Sequence, residues 1–192
     1  MNEYQKIVSI LQTKKITFEQ GLSLSEIEEI EKFYNISFPI ELKNLYSVGL
    51  PVSNGFYNWR NMSNDNVKQI KKVLQRPILD IQAELIRDYE DNNYYNDEIW
   101  CDKWGVRPNN INDACKILQA QYNQAPKLIP IYLHRYMPFI SHSEETPVFS
   151  IMGSDIIYCG NNLISYLETE FKLKSYHNNM KCQHVDFWSD LL

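Results

Sequence analysis

His134-Arg135-Tyr136, with Glu144 and Asp155 downstream, is the one cluster in this sequence from which a catalytic site could be built. A general base must come within hydrogen-bond reach of the proton it takes, so the cluster works only if the fold gathers its members. The competing reading is a strand-end His and Arg that bond backbone carbonyls or an acidic neighbour. Metal chemistry finds less support. Cys101, Cys115, Cys159 and Cys182 are far apart with no CxxC spacing, and they read as reduced, partly buried thiols. Cys182-Gln183-His184 is too tight for half of a zinc finger and has no second half. With six glycines the chain carries neither GxGxxG nor GxxxxGK[ST], and HExxH and GxSxG are also missing. The sequence therefore predicts a non-enzymatic protein, without metal or cofactor, that holds another macromolecule.

Charge gives that expectation a place. The chain is mildly acidic, with 24 Asp and Glu against 19 Lys and Arg for a net charge of −5. That balance disfavours a direct nucleic-acid binder, which needs a basic excess to displace phosphate counterions. Within residues 80–102 lie Asp80, Glu84, Asp88, Glu90, Asp91, Asp97, Glu98 and Asp102, opposed only by Arg87, so this window carries −7 and the remainder +2. Tyr89, Tyr94, Tyr95 and Trp100 share it. Rings supply burial and carboxylates speed encounter, a combination suited to a basic protein partner. Asp88, Glu90, Asp91, Tyr94, Tyr95, Asp97 and Glu98, with Trp100 as a buried anchor, are the candidate binding residues. The alternative is a solvated loop whose carboxylates serve solubility. Trp59, Trp100 and Trp104 lie in loop-like segments, where large rings either anchor the loop or touch a ligand.

At 192 residues and 44% hydrophobic content, the chain suits one well-buried core better than two. The N-terminus lacks a signal-peptide pattern and no stretch nears the roughly 20 apolar residues of a membrane span, which predicts a soluble, cytoplasmic protein. Tyr4, Ile7, Val8, Ile10 and Leu11 give the first dozen residues an amphipathic helical face. Ile16-Thr17-Phe18 is β-prone. Ser23 and Glu26 match a capping box before Ile27, Ile30, Phe33 and Tyr34 at helical spacing, with Asn35 as the stop. Pro39 suits the first turn of another helix. Residues 49–55 read as a loop, a third helix starts near Ser63 or Asn64, and Pro77 breaks or restarts it before residues 78–89. Its Lys68, Lys71, Lys72 and Arg76 form an outward basic stripe. After a loop over 90–98 and a helix near 112–122, residues 128–133, 147–152 and 155–159 are β-rich, with Gly153-Ser154 as a tight hairpin. A helix over 162–171 follows, and Val185, Phe187, Trp188 and Leu191 close the domain. Helices first and an antiparallel meander later predict an α+β fold, an antiparallel sheet with flanking helices in a single domain over 1–192.

Several segments occur in a characteristic order: Phe38-Pro39, Leu50-Pro51-Val52-Ser53, Phe56-Tyr57-Asn58-Trp59-Arg60, Trp104-Gly105 with Pro108, and residues 125–132 from Ala125 to Tyr132. His134-Arg135-Tyr136 with Pro138, Pro147-Val148-Phe149-Ser150, Asp155-Ile156-Ile157-Tyr158 with Gly160, and Phe187-Trp188 follow. Over residues 20–190 this pattern resembles the bacterial branch of the SUKH superfamily, the group that includes the yeast cell-wall synthesis regulator. The resemblance implies an α+β fold and an immunity protein that neutralises a toxin exchanged between competing bacteria, commonly a basic nuclease or nucleic-acid-modifying enzyme. It implies no catalytic motif, so Pro39, Trp59, Arg60, Trp104, Gly105, Tyr132, His134, Arg135, Tyr136, Asp155 and Trp188 carry over as scaffold. The stretch 78–98 is longer and more acidic than the pattern leads one to expect. The other function that fits the resemblance is a regulatory scaffold like the yeast protein, with no toxin partner.

Overall fold

The computed structural model describes residues 2–90, 99–143, 145–173 and 181–192. The chain begins with α1 (Glu3–Thr13), started by an Asn2–Gln5 capping box and burying Ile7, Val8 and Leu11. After β1 (Phe18–Gln20) comes α2 (Leu24–Tyr34), opened by the expected Ser23–Glu26 box and closed by a left-handed Asn35 at φ 53°. Pro39 precedes α3 (Ile40–Val48). The next segment, read above as loop, is a short strand, β2 (Gly49–Pro51), antiparallel to β1 with Phe18 opposite Pro51. Its Gly and Pro flank the wholly buried Leu50, and the proline sits at the strand's end, where an absent N–H costs little.

Helix α4 (Asn64–Glu90) runs unbroken through Pro77, for about 40 Å at 1.5 Å per residue. A proline inside a helix takes away the N–H that would bond the carbonyl four residues earlier, which here belongs to Val73. That carbonyl accepts the Tyr136 hydroxyl at 3.3 Å instead, and Pro77 is buried. A partner 63 residues away thus replaces the lost bond, and no local pattern could announce it.

Helix α5 (Ile111–Tyr122) leads into an antiparallel meander of β3 (Leu128–Tyr132), β4 (Arg135–Pro138), β5 (Val148–Met152) and β6 (Asp155–Gly160), in that spatial order. The unexpected strand is β4, four residues that mix a cation, two buried side chains and a terminal proline. The Gly153-Ser154 turn is present, and its glycine has φ 64°. A Cβ there would lie 1.8 Å from the Glu84 carboxylate, which accepts the Ser154 N–H at 2.7 Å. Helix α6 (Leu163–Glu170) follows β6. The described residues thus form an α+β fold, an antiparallel sheet flanked by helices, and none of their helices is long and apolar enough to cross a membrane.

Both faces of the four-stranded sheet are covered, so its strands bury residues of either parity. Ile129, Ile131, Met137 and Val148 join a core with α1, α2, α3, α6 and Ile70 of α4. Leu128, Tyr136, Phe149, Ile151 and Ile156 join a second core with Ile78, Ile81 and Leu85, α5, and the tail residues Val185, Phe187, Trp188 and Leu191. The long α4 contributes to both.

The residues expected as scaffold fasten these layers. Trp188 donates its indole N–H to the Pro126 carbonyl at 2.8 Å, and Tyr132 packs on Phe56 and Phe171. Arg60 bonds Glu26 at 2.8 Å, Glu19 at 3.0 Å and the Gly21 carbonyl at 3.2 Å, tying its loop to β1 and α2. Arg60, then the Ser23 N–H and hydroxyl, hold the Glu26 carboxyl down from 4.5 to about 2. A depressed carboxylate adds stability that is complete above pH 4.5 and disappears as pH falls through about 2. In urea melts stepped across that window, Glu26→Gln is expected to lose stability less steeply on acidification than the unaltered protein. Parallel slopes would show that the pair does not contribute.

Candidate partner-binding surface

The carboxylates of the acidic window on α4 are largely engaged within the fold. Asp80 pairs with Arg76 at 3.0 Å, one helical turn away. Glu84 is 3.7 Å from Arg87 and caps the β5–β6 turn. Asp88 accepts from Arg107 at 2.6 Å in a pair whose side chains are only 8% and 14% exposed. The Arg107 guanidinium also lies 4.5 Å over the Tyr89 ring, and the Tyr89 hydroxyl donates to the Pro108 carbonyl. Burial pulls the Arg107 pKa down, but its bonds to Tyr89 and Asp88 outweigh that and leave it above the ordinary arginine value. Removing one partner of so enclosed a pair would strand the other charge. Glu90 and Asp102 are exposed. Asp91, Tyr94, Tyr95, Asp97 and Glu98 lie outside the described residues.

On the far side of that segment, Trp100 is 9% exposed and donates its indole N–H to the Gly105 carbonyl at 2.8 Å. Its ring meets Trp104 edge-on at 5.4 Å, and Trp104 stacks on Phe187 at 5.6 Å. Gly105 adopts φ 85°, and Val106 beyond it is 93% exposed. The result is a fixed ledge: the end of α4 and the loop over 99–108 are clamped together, with Glu90, Asp102 and Val106 outward. Arg107 and Val106 are not among the residues expected from the sequence. A lone arginine has no motif, and its pairing with Asp88 depends on a chain reversal. The Gly105-Val106 step was the available signal for an exposed apolar tip.

The second candidate cluster does not converge. Strand alternation sends Tyr136 into the second core, where it is 1% exposed, while Arg135 meets Glu170 at 3.3 Å and Ser150 Oγ at 3.0 Å. His134 sits in the β3–β4 turn, its pKa lowered by burial and then by Arg135. Asp155 is exposed at the start of β6, and Glu144 lies outside the described residues. A cavity of about 330 Å³ beside Arg135 is lined by Tyr158, Cys159, Tyr166, Thr169 and Glu170 along with Ile157, without His134 or Asp155. Burial pushes the Cys159 thiol up, away from the thiolate that nucleophilic chemistry needs. Among the described residues no three His, Cys, Asp or Glu side chains are grouped to hold a metal ion. All four cysteines are free thiols.

No family model, curated protein or solved structure matches the chain.

Proposed function

We propose that this protein is an immunity protein, acting in the cytoplasm by binding a basic protein toxin and obstructing its working surface. Two things support the reading: the SUKH-like order of motifs, and the clamp of Asp88, Tyr89, Arg107 and Trp100 that fixes both flanks of the acidic segment. The clamp carries it. A rigid ledge loses little conformational freedom on binding, and that loss is a principal cost of association. In this scheme Glu90 and Asp102 steer a cationic partner, Val106 and the tyrosines of the segment bury against it, and Asp88 and Trp100 hold the ledge in shape.

The test is co-expression with the C-terminal domain encoded by a neighbouring gene for a large secreted protein. The expected results are growth rescue and a complex that co-purifies. Tyr94→Ala with Tyr95→Ala should weaken binding by at least about 2 kcal/mol, the scale of an interface hot spot, with an unchanged melting temperature. Glu90→Lys with Asp102→Lys should slow association most at low salt. Undiminished toxicity in the presence of the folded protein would refute the function. Unchanged affinity in both double variants would move the interface elsewhere.

A further inference from the structure

The basic stripe of α4 takes no part in the ledge. Lys68, Lys71, Lys72 and Arg76 occupy the first half of the helix, and Lys71 lies about 28 Å from Glu90 at 1.5 Å per residue. Lys71 borders a groove of about 530 Å³ between the end of α2, the first half of α4 and the α5–β3 connection. That volume falls within the range of about 300–1,000 Å³ typical of small-molecule sites.

We propose that this groove binds a nucleoside phosphate, with Lys71 and Lys127 on the phosphates and the base between Phe33, Tyr122 and the carboxamides of Gln75 and Asn123. Three observations converge. In a chain of net charge −5, the described lining holds two lysines and no carboxylate, so the groove is a local positive site. Lys127 gives one bond, 2.8 Å to the Asn35 carbonyl, and an ammonium has three donors to give. Phe33 is 51% exposed with Lys71 5.2 Å from its ring centre, a large apolar face left at the surface beside a cation. Aromatic faces stack bases, lysines serve as point charges for phosphate, and carboxamides supply both a donor and an acceptor to a base edge.

An acidic peptide shares the charge preference, but it would not call for two aromatic walls flanked by carboxamides in a groove of small-molecule size.

Calorimetric titration of the full chain with ADP, GDP, CDP, UDP, adenosine and inorganic phosphate tests the proposal. At least one diphosphate is expected to bind saturably at one per chain, with adenosine and phosphate each weaker by about tenfold or more, since neither makes both sets of contacts. Lys71→Glu with Lys127→Glu should cost at least about tenfold in affinity and remove most of the salt dependence. Absence of binding at millimolar diphosphate would overturn the proposal. So would phosphate alone binding as tightly as any diphosphate, a polyglutamate peptide displacing every diphosphate, or a double variant of unchanged affinity. The groove is remote from the ledge, so none of these outcomes bears on toxin binding.

Discussion

Replacing Trp59 by alanine is expected to cost about 3–5 kcal/mol of stability, the range for truncating a large buried aromatic side chain. At roughly 2–4 °C per kcal/mol for a chain of this size, the melting temperature should fall by about 6–20 °C. Trp59 is completely buried. Its ring meets Phe38 edge-on at 5.0 Å and Tyr34 at 5.5 Å, and its indole N–H donates to the Tyr46 hydroxyl at 3.2 Å. Alanine would open a cavity where α2, α3 and the loop over 55–61 meet, and would take away the indole N–H that donates to Tyr46. Burial already raises the Tyr46 pKa well above the ordinary tyrosine range, so its oxygen stays a neutral hydroxyl and cannot compensate by ionising. Trp59→Phe, which keeps most of the edge contacts, should lose distinctly less. Urea denaturation of the three proteins decides the matter, and an alanine penalty below about 1 kcal/mol would contradict this account of the core. Native stabilities of about 5–15 kcal/mol make the expected loss a large fraction of the total.

Glu41→Leu is the second large effect. Glu41 lies on α3 at 3% exposure, yet it is not idle. One carboxylate oxygen accepts the Thr146 N–H at 2.8 Å, just ahead of β5, and the other accepts the Leu163 N–H at 2.7 Å in the first turn of α6. A single side chain therefore joins α3, the sheet and α6, and it places negative charge where a helix N-terminus favours it. Leucine fills similar space but leaves two buried N–H groups unpaired, at about 1–3 kcal/mol each. Glu41→Gln keeps an acceptor for one of them and should lose less.

The pH dependence of Glu41 has the opposite sign to that of Glu26. Burial raises the Glu41 pKa, and its two backbone bonds only partly counter the shift. A carboxyl whose folded pKa exceeds the unfolded value binds protons more tightly when folded. Its contribution is therefore most favourable below pH 4.5 and declines as pH rises through the folded value. Glu41→Gln should remove that decline, whereas Glu26→Gln removes a loss on the acid side. A leucine variant as stable as the unaltered protein, or a glutamine variant with the same alkaline-going slope, would contradict this account.

How much was legible in the sequence follows from how far each partner lies along the chain. The Ser23–Glu26 box, Pro39 before α3, the Gly153-Ser154 turn and the switch from helical to alternating periodicity each act within a few residues, and each is present. Strands β2 and β4 were missed because pairing partners 33 and 15 residues away, Phe18 for Pro51 and Ser150 for Arg135, override weak local propensity. Pro77 was misread for the same reason, since its compensation comes from Tyr136.

The residues proposed to hold a partner divide along the same line. By itself the sequence determined the class of fold, the concentration of carboxylates and aromatics in residues 80–102, and the basic stripe on α4. Composition and short-range periodicity are properties of consecutive residues. Only the tertiary structure decided which charges remain outward. Folding brings Arg107 onto Asp88, Ser154 onto Glu84 and Trp100 onto Gly105, leaving Glu90, Asp102 and Val106 at the surface. It likewise gathered Lys71, Lys127, Phe33 and Tyr122 into one groove from three separate stretches of chain. A net charge counts residues, but a binding face depends on which of them have already found partners within the fold.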